Sequence, residues 1–283
     1  MDYTDARRVD GIFFKERNPD SQPEDVEMVS VEESGESVNT RYDMDRNKKN
    51  LALIINNEKF DKSTGMSRRE GTDEDASAIK RTLESLHFKV INRKNLSVKS
   101  MKQIFLDISM LDHRNHNCFV CVILSHGEDN NWIYGTDDKV KLDDLVEMLL
   151  PEKCPGLIGK PKLFFIQACR GKKRDSGAIM HDCGDVRVEY QNVKSHKVPF
   201  WADVLLAYST VPGFYSYRRH TIGSWFIHSL VHILEKDGDR LELQQLMILV
   251  NRKVACEYEH TSTKMKQVPC IVSMLTKELY FFK

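Results

Sequence analysis

A chain of 283 residues, 41% apolar and 30% charged, has material for one large or two small hydrophobic cores. Lys plus Arg and Asp plus Glu stand at 42 each, so no global field draws the chain to DNA, RNA or an acidic membrane surface. The first thirty residues lack the continuous apolar core of a secretory signal, and no later run reaches the length of a membrane span, so a soluble cytoplasmic protein is expected.

Residues 1 to about 46 are acidic, rich in Ser, Glu and Asp, and too poor in large apolar residues to bury a core. They read as a disordered N-terminal extension. From Leu51 onward, apolar strand-like runs alternate with segments of helical period. That alternation predicts an α/β fold with a mostly parallel central sheet and helices on both faces. "LALII" is the first strand. "DASAIKRTLESL" then sets Ala76, Ile79, Leu83 and Leu86 on one helical face, and "KVI" follows as a strand. "SMKQIFLDISML" repeats the helical spacing with Met101, Ile104, Phe105, Ile108 and Leu111. "CFVCVIL" is the third strand, and "LDDLVEMLLPEK" is a shorter helix stopped by Pro151. "LFFIQA" and "VLLAYS" are strands, "GSWFIHSLVHILEK" and "LELQQLMILVNRKVA" are helices, and "CIVSML" is the sixth strand.

There are seven cysteines, at 118, 121, 154, 169, 183, 256 and 270. Cys118 and Cys121 have C-x-x-C spacing, but inside a strand pattern they read as core thiols rather than metal ligands or a redox pair. An odd count fits a reducing compartment. No metal and no cofactor is expected.

Between the fourth and fifth strands, residues 170 to 199 are polar, charged and Gly-punctuated, without a period of either kind. Loops of that length inside a compact domain tend to be functional or linkers. In open α/β sheets, ligands bind at the carboxyl ends of the strands. "CFVCVIL" runs into Ser125, His126 and Gly127, and "LFFIQA" runs into Cys169. If the two strands are parallel, a thiol and an imidazole share one edge, which is the minimal pairing for acyl transfer. Against this stands the plain alternative of a small core Cys and a turn His. Pattern alone leaves the two readings level.

The residues themselves resemble a known family. "QACRG" matches the caspase signature Q-A-C-[RQG]-G, and His126 in "LSHGED" precedes Cys169 by 43 residues. "IINNEKFDKSTGMSRREGTDEDA", "AYSTVPGFYSYR", "GSWFIHSL" and "QVPCIVSMLTKELYFF" also look like executioner caspases, so the resemblance covers about residues 41 to 283. It implies a three-layer αβα domain with a six-stranded sheet, and an Asp-specific cysteine endopeptidase that is made as a zymogen and acts in apoptosis. By matching motifs, Cys169 is the nucleophile and His126 the general acid/base. The N–H groups of Gly127 and Cys169 form the oxyanion hole, and a carbonyl near Ser67 orients the imidazole. Arg69, Gln167 and Arg218 line the pocket for the Asp side chain, with Tyr215, Ser216, Tyr217, Arg219 and Trp225 completing the substrate site. Arg68 has a weaker claim than Arg69.

Three departures bear on the fourth residue before the cut. Tyr217 stands where executioner caspases usually carry Trp, and Arg219 where they carry Asn. "EYEHTSTKMKQVPC" is about five residues shorter than the family's loop and lacks its aromatic pair. Either an acidic or an aliphatic residue is compatible with that pocket.

The resemblance further implies a pro-segment (residues 1 to 40), a large-subunit region (41 to 182) and a small-subunit region (183 to 283), with the linker at about 170 to 199. Asp182 is the main processing site, Asp175 the second, and Asp20 and Asp10 are candidates for pro-segment removal. The implied partners are protein substrates with Asp at the cut and an upstream activating caspase. A second copy completes the set, giving a homodimer that becomes two large and two small chains after processing. Two other classes are weighed. A catalytically inactive caspase-like scaffold or regulator would lack part of the chemistry, yet every residue the mechanism needs is present. A flavodoxin-like nucleotide-binding domain would need a Gly-rich phosphate loop after the first strand, and there is none.

Overall fold

The computed structural model describes residues 39–171, 173–175, 199–219 and 223–283. Six strands build the central sheet: β1 (Asn50–Asn56), β2 (Phe88–Lys94), β3 (Phe119–Leu124), β7 (Lys162–Gln167), β8 (Val204–Tyr208) and β11 (Cys270–Ser273). Their spatial order is β11-β8-β7-β3-β1-β2. Every neighbouring pair is parallel except β8 and β11, where Ile271 faces Ala207 antiparallel. All six strands are those expected from the apolar runs.

Helices α1 (Thr72–Ser85), α2 (Val98–Ser109), α3 (Leu142–Val146), α4 (Trp225–Asp237) and α5 (Leu243–Glu257) cover both faces. The period of two along each strand divides the core. Ala52, Ile54, Val120, Val122, Leu163, Phe165, Leu205 and Ala207 pack on one side with Ile79 and Leu83 of α1, Phe226 and Leu230 of α4, and Leu246 and Val250 of α5. Leu53, Ile55, Cys121, Ile123, Phe164, Ile166 and Leu206 point the other way, onto Met101, Phe105 and Ile108 of α2 and Leu145 of α3. This is the three-layer αβα arrangement. The same alternation sends Cys118 and Cys121 to opposite faces, where burial raises both thiol pKa values. Two thiols on opposite faces of one strand cannot share a metal or close a disulfide.

Local chemistry explains several ends. Asp73, Glu74 and Asp75 occupy the first turn of α1, where carboxylates complement the helix dipole. Ser97 caps α2 by accepting from Ser100 N at 3.1 Å. Glu242 and Gln245 form a reciprocal capping box at the start of α5. The short helix α3 passes into a 3-10 turn at Glu147–Leu149 and stops before Pro151.

Two small sheets were not legible as strands. β4 (Gly127–Glu128), β5 (Trp132–Tyr134) and β6 (Lys139–Lys141) form an antiparallel meander, and β9 (Arg218–Arg219) pairs with β10 (Gly223–Ser224). Strands of two or three residues carry no period. The adjacent Asn130 and Asn131, both at positive φ (58° and 60°), turn the chain between β4 and β5, and Gly135 to Asp138 turn it between β5 and β6, with Gly135 N donating to the Asp138 carbonyl at 2.7 Å.

Candidate active site

The register of β3 on β7 places Leu124 opposite Gln167, and Ser125 N donates to the Gln167 carbonyl at 3.1 Å. His126 and Cys169, each two residues beyond the end of its strand, therefore emerge at the same edge of the sheet. The loops after β1 and β8 open onto that edge too, and they carry Ser67 and Arg69, and Tyr215 to Arg218. Four parallel strands thus deliver the candidate residues to one crevice, as α/β topology requires.

His126 Nε2 lies 2.8 Å from the Ser67 carbonyl oxygen. A carbonyl only accepts, so Nε2 carries the proton and the neutral ring's lone pair is on Nδ1. The Phe60 ring packs on the imidazole at 4.8 Å between centroids. Burial, with the positive charges of Arg69 and Arg218 adding to it and the Ser67 carbonyl opposing, pushes the His126 pKa down to about 4. Cys169 Sγ sits 4.0 Å from the Ser216 carbonyl oxygen. Burial raises its thiol pKa, partly offset by that contact and by the same two guanidiniums.

Gly127 pairs with Ile133, flanked by the bond from Tyr134 N to the His126 carbonyl at 2.9 Å. That pattern makes it a non-hydrogen-bonded pair, so the Gly127 N–H points away from β5. A Cβ at this position would stand 2.6 Å from the Cys169 carbonyl oxygen and 3.0 Å from the Trp132 carbonyl oxygen, which explains a glycine here. Arg170 holds the chain beyond Cys169: Nη2 donates to Asn131 Oδ1 at 2.9 Å, and the guanidinium lies 3.8 Å from the centroid of Tyr208. At Gly171 (φ 145°) the backbone runs against Gly213, and a Cβ there would be 2.3 Å from the Gly213 carbonyl oxygen.

Arg69 is 2% exposed, and its Nη1 donates to the Asn57 carbonyl at 3.0 Å and Thr72 Oγ1 at 2.7 Å. Arg68 is turned outward onto Glu58. Burial and the nearby Arg218 lower the Arg69 pKa to about 9, while Asp75 and Cys169 act the other way. Arg218 is half-buried, and burial lowers its pKa as well. Gln167 Nε2 donates to Ser216 Oγ at 2.8 Å, and Gln167 Oε1 is buried without a partner. Because a hydroxyl both donates and accepts, the amide can equally turn its NH2 toward the pocket, the orientation a carboxylate requires. Arg69 and Arg218 act on each other electrostatically, and two guanidiniums with an amide are chemically suited to a single anionic side chain.

Tyr217 stacks on Trp225 (4.7 Å between centroids, 21° between planes), with Tyr215 edge-on at 5.4 Å and His260 at 5.6 Å. Its N–H donates to Gln267 Oε1 at 2.7 Å. Tyr215 is exposed, whereas Ser216 and Tyr217 are largely buried. Trp225 is 2% exposed, its ring stacked on Tyr217 and tilted against Tyr258. For Arg219 the backbone pairing with Gly223 is described. Asp175 is joined to Lys266 by an antiparallel bridge, with Lys266 N donating to its carbonyl at 2.8 Å. Asp182, Asp20 and Asp10 lie outside the described residues.

Sequence reasoning passed over Asp75. It is buried, accepts from Ser224 N at 2.9 Å, and faces both guanidiniums electrostatically. Burial raises its pKa to about 6, with Ser224, Arg69 and Arg218 opposing. In the sequence it was indistinguishable from its acidic neighbours at the start of α1. Asn57, Thr72 and Gln267, which hold Arg69 and Tyr217, carried no signal either.

The family model described as the caspase domain matches residues 49–280. The chain is 45% identical over 255 residues to caspase-3 of Oryctolagus cuniculus, and 44% identical over 254 residues to caspase-3 of Bos taurus. In both cases the match covers 88% of this chain and 90% of the relative. The crystal structure of caspase-1 from Spodoptera frugiperda aligns with a TM-score of 0.80 at 34% identity, over 90% of this chain and all of that one.

Proposed function

The chain belongs to the caspase family, as a cysteine endopeptidase of the executioner type that cuts after Asp, and from that premise we propose that Cys169 is its nucleophile and His126 its general acid/base. The observation that carries this is the β3–β7 register, which brings the two side chains to one edge.

Sγ attacks the carbonyl carbon of the scissile bond as its proton passes to Nδ1 of His126. The oxyanion that forms is met by the N–H groups of Gly127 and Cys169, donors aimed where charge develops only in the tetrahedral intermediate. Collapse breaks the C–N bond, and the imidazolium returns its proton to the departing amine. Water, deprotonated by the imidazole, then hydrolyses the thioester and frees the thiol.

The Asp side chain enters between Arg69, Arg218 and Gln167. Its carboxylate offsets the two positive charges that add to burial in lowering the His126 pKa, so bound substrate raises the proton affinity of the imidazole when it must take the thiol proton. Tyr215, Ser216, Tyr217 and Arg219 form the wall beyond that pocket, with Trp225 supporting it. Whether the fourth residue is acidic or aliphatic is decided where Tyr217 meets His260.

Cys169 precedes the linker and Ser216 to Arg218 follow it, so a cut at Asp182 yields a large and a small chain that both contribute to one site. An upstream Asp-specific caspase makes that cut, with Asp175 as the secondary position and Asp20 or Asp10 releasing the pro-segment. β11, the outermost strand, pairs with a second copy, giving two large and two small chains. Free thiols buried at Cys118, Cys121 and Cys154 support a reducing, cytoplasmic location. Among the described residues no helix is long and apolar enough to cross a membrane.

The test is hydrolysis of fluorogenic tetrapeptides ending in Asp, alongside Cys169→Ala. Turnover should fall by about 10⁴-fold or more in the variant while an Asp-ending peptide still binds. Activity unchanged by the substitution overturns the assignment of the nucleophile.

A further inference from the structure

At the edge of the sheet opposite the crevice, where β3 and β7 begin, a polar cavity of about 240 Å³ is lined by Lys48, Lys160, Lys277, His116, Asp43 and Gly159, among others. Three lysines line it against one acidic residue, Asp43. We propose that this cavity is a binding site for a small phosphate-bearing anion, distinct from the peptidase site.

The lining comes from four separate parts of the chain: the start of the domain, the turn before β3, the turn before β7 and the segment after β11. Like charges gathered round one small cavity repel, and an anion relieves that repulsion. Lys160 is anchored for this purpose, because its Nζ donates to the His113 carbonyl at 2.6 Å. Burial and then Lys48 lower its pKa, with Asp112 and Cys154 opposing. Arg is absent from the lining, so the cavity supplies point charges rather than a planar fork. Such charges suit a phosphate approached from several sides.

A histidine pair adds a proton-linked element. His113 Nε2 lies 2.8 Å from the Ile108 carbonyl oxygen, so it is the protonated nitrogen of that ring. His113 Nδ1 therefore accepts from His116 Nδ1 at 3.1 Å, and Nε2 of His116 is the nitrogen left to take up a proton. The groups acting on His116 are burial, then His113, Lys160 and Lys89, all lowering its pKa, with Asp112 opposing. An anion in the cavity counters the lysine charges and favours imidazolium, so binding takes up a proton.

The test uses the full-length chain, titrated calorimetrically with inorganic phosphate and, in a separate arm, with AMP, against sodium chloride of matched ionic strength. Saturable one-to-one binding is expected, weakened at least tenfold in Lys48→Gln/Lys277→Gln, whose substitutions lie on the surface. Binding of phosphate alone marks a free-phosphate site. Binding of AMP as well marks one that admits an ester. Sulfate, a dianion throughout the range, should bind more tightly at pH 6 than at pH 8, and His116→Gln should remove that difference. Tetrapeptide hydrolysis at 25 °C should be unchanged in the double variant, while bound anion raises the melting temperature. No saturable binding in either arm, or binding indifferent to the lysine substitutions, overturns the proposal.

Discussion

Arg69 carries two loads at once. Its Nη1 ties the loop after β1 to Asn57 and Thr72, and the remainder of the fork is assigned, under the proposed function, to the substrate Asp. Lys can keep a charge there but cannot make both sets of bonds. Arg69→Lys should lower kcat/KM for Asp-ending peptides by about 100-fold, the equivalent of a lost charged hydrogen bond of ~3 kcal/mol. Steady-state kinetics with the tetrapeptide read this directly, and a loss under threefold would remove Arg69 from the pocket. His126 makes a different kind of claim. Its pKa is about 4 in the folded chain against 6.5 for an ordinary imidazole. Between those values the unfolded chain binds a proton that the folded chain refuses, so stability rises with pH across that window and is fully present above 6.5. His126→Gln keeps a donor for the Ser67 carbonyl but cannot titrate. Denaturant melts from pH 4 to 7 should show a shallower slope for the variant, by up to one proton. Parallel curves would contradict the depressed pKa.

At the scale of elements, the strands position the chemistry and the caps hold the helices that cover them. Each strand of the crevice was legible because buried parallel strands are continuous apolar runs. The helices were legible from spacings such as Ile79 and Leu83, or Met101, Phe105 and Ile108. The β4–β6 meander and the β9–β10 pair were not, because Gly127 and Arg218 sit in strands too short for any period. Glu242 illustrates what spacing omits. It accepts from Gln244 N at 2.7 Å, Gln245 N at 3.4 Å and Leu279 N at 3.3 Å, joining the start of α5 to the C-terminal segment. Glu242→Ala leaves these donors short of partners and should cost about 2 kcal/mol. The melting temperature should fall by roughly 5 °C with kcat/KM unchanged at 25 °C. A variant that melts with the parent would show the cap to be dispensable.

For the whole molecule, the open side of β11 is the main structural liability. β11 pairs with β8 on one side, and Val272 is 40% exposed. Exposed apolar edge strands invite pairing with another chain, and a twofold partner would cover the β11 edge in both copies, leaving β2 as the outer strand of each. If the proposed β11 pairing forms the dimer, Val272→Glu should shift the sedimentation equilibrium toward monomer relative to the parent chain. Persistence of the dimer would move the interface elsewhere.

The apolar runs, their order and the residues that end them determined the α/β class, the six strands of the sheet and the placing of His126 and Cys169 at strand ends, because strand and helix periods are local properties of the chain. The tertiary structure decided which polar residues matter around them. Arg69 and Arg68 are adjacent and identical in type, yet one is buried against Asn57 and Thr72 and the other pairs with Glu58 at the surface. Asp75 looks like a dipole charge until α1 packs beside β10, and Trp225 gives no sign in the sequence that Tyr217 stacks on it. Burial, tautomer and charge balance depend on groups far apart in the chain, and folding alone brings those groups together.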